Sequence, residues 1–315
     1  AMMRTITVNS NDAGQRLDKF LLKLMPTMPK GMLYKLIRKK DIRYNGTRCK
    51  GAEVLSEGDV LTVYAKEEFF AVNTEYTFLK AAGHPEVVYE DCNILVLYKP
   101  SGMFAHGGKN SLLDEVQKYL YDKGLYRPKT EQSFAPALCN RIDRNTEGLV
   151  IAAANAAALR TMNEAIRDRN VHKQYLAVTA APLPRKEDTC TAWLKKSEYN
   201  NQVTVRQNMP DKTWKCIRTR YKVLAQNGRQ QLVRIELLTG RTHQIRAHLA
   251  FLGAPLLGDP KYGQQSRNEE NQCLCAYSLH FTELSDTTLS ALDGKTITAP
   301  VPPFVHRYFP DVTLE

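Results

Sequence analysis

The 315-residue chain is 43% hydrophobic, 24% charged and 9% aromatic, a composition that supports a real core and excludes disordered or collagen-like architectures. Basic residues outnumber acidic ones by 44 to 33, a net charge of +11, which points to a polyanion such as nucleic acid or an anionic membrane surface. No apolar run approaches the ~20 residues of a spanning helix, and Asn9, Asn11 and Asp12 fall where a signal peptide would be apolar, so a membrane partner is not expected.

The surplus is concentrated. Residues 14–50 contain eleven basic and two acidic residues, a net of +9, which leaves the larger C-terminal part of the chain expected to be close to charge balance. Leu17, Phe20, Leu21 and Leu24 recur at the spacing of an amphipathic helix. Pro26 and Pro29 end it and allow a second start. Leu33, Leu36 and Ile37 then predict a second helix whose other faces carry Lys30, Lys35, Arg38, Lys39 and Lys40. Asn45-Gly46 is a two-residue hairpin signal, and residues 60–64, Val-Leu-Thr-Val-Tyr, close the unit as a strand. Basic residues so poorly matched by acids suit a surface that tracks phosphates. The stretches 14–21, GQRLDKFL, and 35–46, KLIRKKDIRYNG, resemble an S4 domain, the small helix-and-strand module of ribosomal proteins and RNA-modifying enzymes. The resemblance implies an RNA-binding unit over residues 1–68, with Arg16, Lys30, Lys35, Arg38, Lys39, Lys40 and Arg43 as its phosphate contacts.

Periodicity lapses over residues 69–85, read as a linker, with Phe69 and Phe70 docking it on the domain that follows. In the remainder, 86–315, strands are expected at 87–98 around an acidic turn, and at 148–153, 173–178 and 231–237. Helices are expected at about 156–168 and opening within 238–249, the latter with Ile245, Leu249 and Leu252 on its core face and Gly253 as C-cap. The interleaving predicts an α+β fold with a mixed, mainly antiparallel sheet. The glycines at the helix after Gly148 make no dinucleotide fingerprint.

Seven cysteines, at 49, 92, 139, 190, 216, 273 and 275, are dispersed and contain no C-x-x-C pair. This is the usage of reduced thiols in a cytoplasmic protein, not of a metal or disulfide framework.

Two stretches carry unusual chemistry. In residues 140–148, NRIDRNTEG, Asp143 lies in a turn between Arg141 and Arg144, whose charges favour an ionised carboxylate able to act as nucleophile or base. Residues 238–249, LTGRTHQIRAHL, open a helix. His243 and His248 are five apart, which does not place two imidazoles on one helix face, and Arg241 and Arg246 beside them favour an anion at the helix N-terminus over a metal.

The first stretch resembles the H-R-L-D-x-x-T-S-G signature of the RluA-type pseudouridine synthases. Residues 173–177, KQYLA, resemble that family's K-x-Y-x-A motif, and residues 240–246 match its G-R-T-H-Q-[IL]-R motif throughout. Similar elements stand at 99–102, KPSG, and 258–263, GDPKYG. The resemblance runs in register from about residue 87 to the C-terminus. It implies an isomerase that breaks the N1–C1′ bond of a flipped-out uridine in structured RNA, turns the base and rejoins it through C5, without metal or redox cofactor. Large-subunit ribosomal RNA is the implied substrate, with transfer RNA the other choice, and no obligate protein partner is called for. By the same resemblance Asp143 is the catalytic aspartate, acting at C1′ by direct attack or through a glycal. Arg246 pairs with it, Arg141 fills the space the base vacates, and Tyr175 lies against the uracil and takes part in removing the C5 proton. Arg144, Thr146, Arg241, Thr242, His243, Gln244 and Ile245 would contact the substrate. Asn140 and Glu147 depart from the signature, and the added acid at 147 would oppose nearby phosphate. Two other readings are a non-catalytic RNA-binding or ribosome-assembly factor, disfavoured by an intact Asp143, Tyr175 and Arg246, and a base-removing glycosidase, which would release free uracil.

Overall fold

The computed structural model describes residues 1–70, 76–128, 134–263 and 265–314. The chain builds two sheets with separate cores. The first comprises β1 (Met2–Thr7), β2 (Ile42–Tyr44), β3 (Thr47–Arg48) and β4 (Val60–Ala65), in the order β1-β4-β2-β3, with α1 (Leu17–Leu24) and α2 (Lys30–Arg38) packed on it. The expected apolar stripe is buried: Leu17, Phe20, Leu21, Leu33 and Ile37 meet Ile42, Leu61 and Val63. Asn45 and Gly46 both take positive φ, 48° and 75°, as the primed hairpin turn requires. β1 left no motif in the sequence, and it pairs antiparallel along the whole of β4.

The linker is shorter than expected. Phe70 is buried in the N-terminal core and Phe69 packs against it, so these rings extend the first unit and do not dock on the second. Phe78 instead belongs to the second unit, against Leu112, Val116 and Tyr126. Residues 71–75 of the expected linker lie outside the described residues.

The second unit contains β5 (Glu86–Glu90), β6 (Ile94–Lys99), α3 (Leu112–Asp122), β7 (Ala137–Leu138), β8 (Glu147–Ala153), α4 (Ala156–Arg167) and β9 (Val171–Thr179). It continues with β10 (Glu187–Lys196), β11 (Val203–Arg206), β12 (Lys215–Asn227), β13 (Gln230–Leu237), α5 (Gln244–Phe251), β14 (Leu274–Phe281), β15 (Thr296–Thr298) and α6 (Pro303–Tyr308). The main sheet runs β11-β10-β12-β13-β9-β14-β8-β6-β5. Every pairing is antiparallel except β14 with β8, so the fold is α+β with a mixed, mainly antiparallel sheet. That one parallel junction is tight. Gly148 has φ of +125°, and a Cβ there would fall 2.3 Å from the carbonyl oxygen of Ala276, so only glycine lets β8 reach β14 directly after the Asp143 turn.

The two units touch at the start of α4. Asp12 is buried and its carboxylate accepts the Phe134 amide at 2.6 Å, while the Asn11 carbonyl accepts the Ala156 amide at 3.0 Å. Gly14 lies against Ala157, where a Cβ would come within 2.7 Å of its Cα.

Charge is also distributed differently from expectation. Acids at 53, 57, 59, 67 and 68 follow the basic segment, so residues 1–68 hold thirteen basic and eight acidic residues, and residues 86–315 hold 30 and 24. The catalytic half is as positive as the N-terminal unit. Among the described residues no helix is long and apolar enough to cross a membrane.

Candidate active site

Asp143 sits in the turn before β8, whose bond from the Thr146 amide to the Asp143 carbonyl is 3.0 Å. It opens into a cleft of about 640 Å³, a size usual for small-molecule sites. The neighbours that its sequence context suggested do not neutralise it. Arg144 turns away, donating to the Gly102 carbonyl at 2.9 Å and stacking on Phe104 at 4.4 Å, and Arg141 reaches out to His106 at the cleft mouth. The charge partner is Arg246, the third residue of α5, whose Nη1 donates to Asp143 Oδ2 at 3.2 Å.

Arg246 is itself fixed from behind. Its Nε and Nη2 form a fork on the two oxygens of fully buried Asp259, at 2.8 and 2.9 Å. Burial alone would raise the Asp259 pKa, but the Arg246 guanidinium and the amides of Lys261 and Tyr262 hold it below the ordinary carboxylate value. Burial would likewise lower the Arg246 pKa, and the two carboxylates raise it instead. A bidentate arginine of this kind is geometrically defined in a way that a lysine would not be.

His243 approaches the other Asp143 oxygen, Nε2 to Oδ1 at 3.8 Å, while its Nδ1 bonds the Tyr262 hydroxyl at 2.7 Å. It occupies the left-handed region, φ 52°, as the N-cap of α5, which tips the ring back into the cleft. Burial lowers its pKa, against the opposing pull of Asp143, so the imidazole is neutral at neutral pH. The anion expected at the start of α5 is thus Asp143 itself, met by side chains.

Tyr175 lies on β9 between Ile235 of β13 and Ala276 of β14, in one apolar cluster with Ile245 and Ile142. Burial, and then the charge of Asp143, push its hydroxyl pKa upward, so it faces the cleft as a phenol and not as a phenolate. Ile245 both lines the cleft and packs in the core.

Other expected contacts divide. Arg241 and Thr242 are exposed on the cleft wall. Gln244 is buried and committed to structure, donating to the Arg218 carbonyl and Thr219 hydroxyl, each at 3.0 Å, and accepting from Thr239 at 2.8 Å. Thr146 is also buried, with its hydroxyl accepting from Gln272 at 3.2 Å. The departures from the signature have local uses. Asn140 accepts the Ile151 amide at 2.8 Å. Glu147 accepts the Tyr98 hydroxyl at 2.6 Å and is absent from the cleft lining, so its charge does not face the entry beside Asp143.

Lys99, in the KPSG element, stands behind the Asp143 turn with no side-chain partner among the described residues that the sequence would reveal. Its ammonium is fully buried and donates to the carbonyls of Pro100, Met103 and Arg144 at 2.9, 2.8 and 2.8 Å. Burial lowers its pKa to about 8 against the charges of Asp143 and Glu147. All three protons are in use at neutral pH, tying the 100–103 loop to the Asp143 turn. Asp259 and Tyr262 likewise stand in the quoted GDPKYG element, and their signal was a carboxylate placed to face an arginine.

His248 points away from His243 and bonds the Thr219 hydroxyl at 2.8 Å. Burial lowers its pKa from 6.5 to about 4. The unfolded chain therefore binds the proton first, and stability is lost as pH falls from 6.5 to about 4. The loss is expected to reach about 3 kcal/mol. Urea unfolding of wild type and His248→Gln between pH 4 and 7 checks this, because the variant should lack that part of the acid slope.

Comparison with known proteins agrees with this geometry. Residues 93–251 match the family model for RNA pseudouridylate synthase. The chain is 32% identical to the ribosomal large subunit pseudouridine synthase C of Vibrio parahaemolyticus, over 82% of this chain and 80% of that protein. It is also 32% identical to the protein of that name from Salmonella typhi, over 95% and 93%. Among solved structures, human RNA pseudouridylate synthase domain containing 4 has the same fold, with TM-score 0.58, 23% identity, and 71% of this chain and 92% of that one covered. A family model over half of the chain and relatives covered over four-fifths or more of both lengths establish one family: the chain belongs to the RluA-type RNA pseudouridine synthases, isomerases that act on uridine in RNA.

Proposed function

We propose that the chain converts one or more uridines of large-subunit ribosomal RNA to pseudouridine in the cytoplasm, with residues 1–70 acting as an S4-type RNA-docking module. The target class is carried by the relatives' names over four-fifths or more of both chains. In this reading the uridine is flipped out of its stack at a cost of a few kcal/mol. Arg141, exposed at the mouth, occupies the vacated space. Asp143 acts at the ribose, by attack on C1′ or by promoting elimination, and Arg246 pairs with the carboxylate and aims it. The N1–C1′ bond breaks, the base turns against Tyr175 and Ile245, and C5 bonds to C1′. The C5 proton must then leave while N1 gains one, so the product is an isomer of the substrate. A phenol with a raised pKa can relay that proton only by giving up its own as it accepts.

In the docking module, Lys30, Lys35, Arg38, Lys39, Lys40 and Arg43 are exposed. Arg43 and Arg48 stand directly opposite each other across the hairpin, a like-charge pair that an anion would relieve. Arg16 is exposed as well, but Asp18 holds it at 2.9 Å.

The test is to incubate the protein with large-subunit ribosomal RNA transcribed in vitro and map pseudouridine at nucleotide resolution. At least one site should convert fully. Conversion confined to a transfer RNA transcript would refute the ribosomal assignment, and free uracil without pseudouridine would identify a glycosidase.

A further inference from the structure

The catalytic unit carries a second concentration of positive charge, away from Asp143. Between residues 187 and 237 there are ten basic and five acidic residues. Strand parity sorts them. Ala192, Leu194, Val203, Val205 and Ile217 turn inward and pack with Ala247 of α5. The residues between them face outward, where Thr191, Lys195, Thr204, Arg206 and Arg218 are exposed. Register then assembles a row: Arg206 of β11 beside Trp193 of β10, Thr191 beside Arg218 of β12, and Lys195 beside Thr204. Lys195, Arg206 and Arg218 are exposed, and among the described residues none of them makes an ion pair. The acids nearby are few. Glu236 is spent on Arg220 at 3.2 Å, Glu187 stands opposite Lys222, and Asp211 lies close enough to Lys195 to feel its charge.

Aromatic rings flank these cations. The chain has two tryptophans, and both are here, half-buried: Trp193 is the cross-strand neighbour of Arg206, and the Trp214 ring lies 6.0 Å from its guanidinium. Unpaired cations interleaved with tryptophan are the composition of surfaces that hold phosphates and unstacked bases together.

The cleft lies on the opposite, α5-covered side of the sheet, and the turn joining β10 to β11 connects the two. Asn201, in the turn joining β10 to β11, lines the cleft. Its carbonyl accepts from Lys261 at 2.6 Å, and the Val203 amide donates to the Tyr262 hydroxyl at 3.0 Å. The turn is therefore tied to the loop that supports Arg246. A strand leaving the cleft past Asn201 meets Lys195 first and Arg206 next.

We propose that the outward face of β11, β10 and β12 is a second RNA-contact surface, which carries the segment flanking the target uridine. Its phosphates rest on Lys195, Arg206 and Arg218, and a base stacks on Trp193 or Trp214. This rests on the reading that RNA is the substrate, and it adds a docking site on the catalytic unit itself.

Because both tryptophans lie on this face, intrinsic fluorescence of the full chain reports it directly. Titration with in vitro transcribed large-subunit ribosomal RNA should quench the emission to saturation. The variant Lys195→Ala/Arg206→Ala/Arg218→Ala should raise KM at least about tenfold with kcat unchanged, since its cations bind substrate and transition state alike. Its plot of log K against log salt should be shallower by about 2 to 3. Emission that does not change while pseudouridine forms, or a variant with wild-type KM and salt slope, would overturn the surface and leave the isomerase reading intact. Quenching and a shallower slope without any pseudouridine would support the surface while the ribosomal isomerase reading fails.

Discussion

Asp143→Asn is expected to lower pseudouridine formation by about four orders of magnitude while RNA affinity stays at or above the wild-type level. The amide is close in shape to the carboxylate but can neither attack C1′ nor accept a proton from the sugar or the base. The change is not expected to unfold the site. Asp143 is one-third exposed, and Arg246 keeps its fork on Asp259, so no buried charge is stranded. Binding should hold because Arg141, Arg241 and the outward sheet face are untouched, and one negative charge is removed from a cleft that receives a polyanion. Single-turnover conversion and filter binding on the same RNA separate the two quantities. Full conversion by the variant would remove Asp143 from the chemistry altogether, and lost binding with normal chemistry on bound RNA would make it a docking residue.

Asp259→Ala should be the most damaging change away from the reacting atoms. It leaves the Arg246 guanidinium buried with one partially exposed partner and strands the amides of Lys261 and Tyr262, which Asp259 accepts at 2.9 and 3.2 Å. Removing one member of a buried pair typically costs about 3–5 kcal/mol. Asp259→Leu combined with Arg246→Met should recover most of that stability, because neither charge then needs burial, but it should not recover activity. Urea unfolding of the two variants, with conversion measured alongside, decides the matter. A stable and active Asp259→Ala protein would mean that Arg246 needs no support from behind, and the fork would then be incidental.

The elements easiest to anticipate are those whose information is local. The α1 stripe, the Asn45-Gly46 turn and the Gly253 cap each follow from a few adjacent residues. β10 to β12 are harder. Their inward positions alternate correctly at Ala192 and Leu194, and again at Ile217, Thr219 and Tyr221, but the outward positions are cationic, so mean hydropathy is low and no motif marks the segment. The site shows the same division. Asp143 stands out in its turn, yet its immediate neighbours point to the wrong charge partners. The turn sends Arg141 and Arg144 outward, and the guanidinium that answers the carboxylate comes from 103 residues away in sequence. Gln244 and Thr146 line the cleft and also hold the fold together through buried hydrogen bonds, because a motif preserves a fold as readily as a contact. Lys99 was hidden for a related reason: three carbonyl acceptors cannot be read from side-chain identities.

The contact at Gly14 sets a length. With Asp12 bonded to the Phe134 amide and Gly14 flush against Ala157, the N-terminal cations stand at a fixed span from Asp143. If residues 1–70 dock RNA as proposed, an RNA that satisfies both ends must present its docking feature at one particular reach from the uridine to be changed. Choice among many chemically identical uridines thereby becomes partly a measurement, made by a caliper whose jaws meet at a glycine. A methyl group at Gly14 would act as a shim between the jaws, and the enzyme would select by a different span.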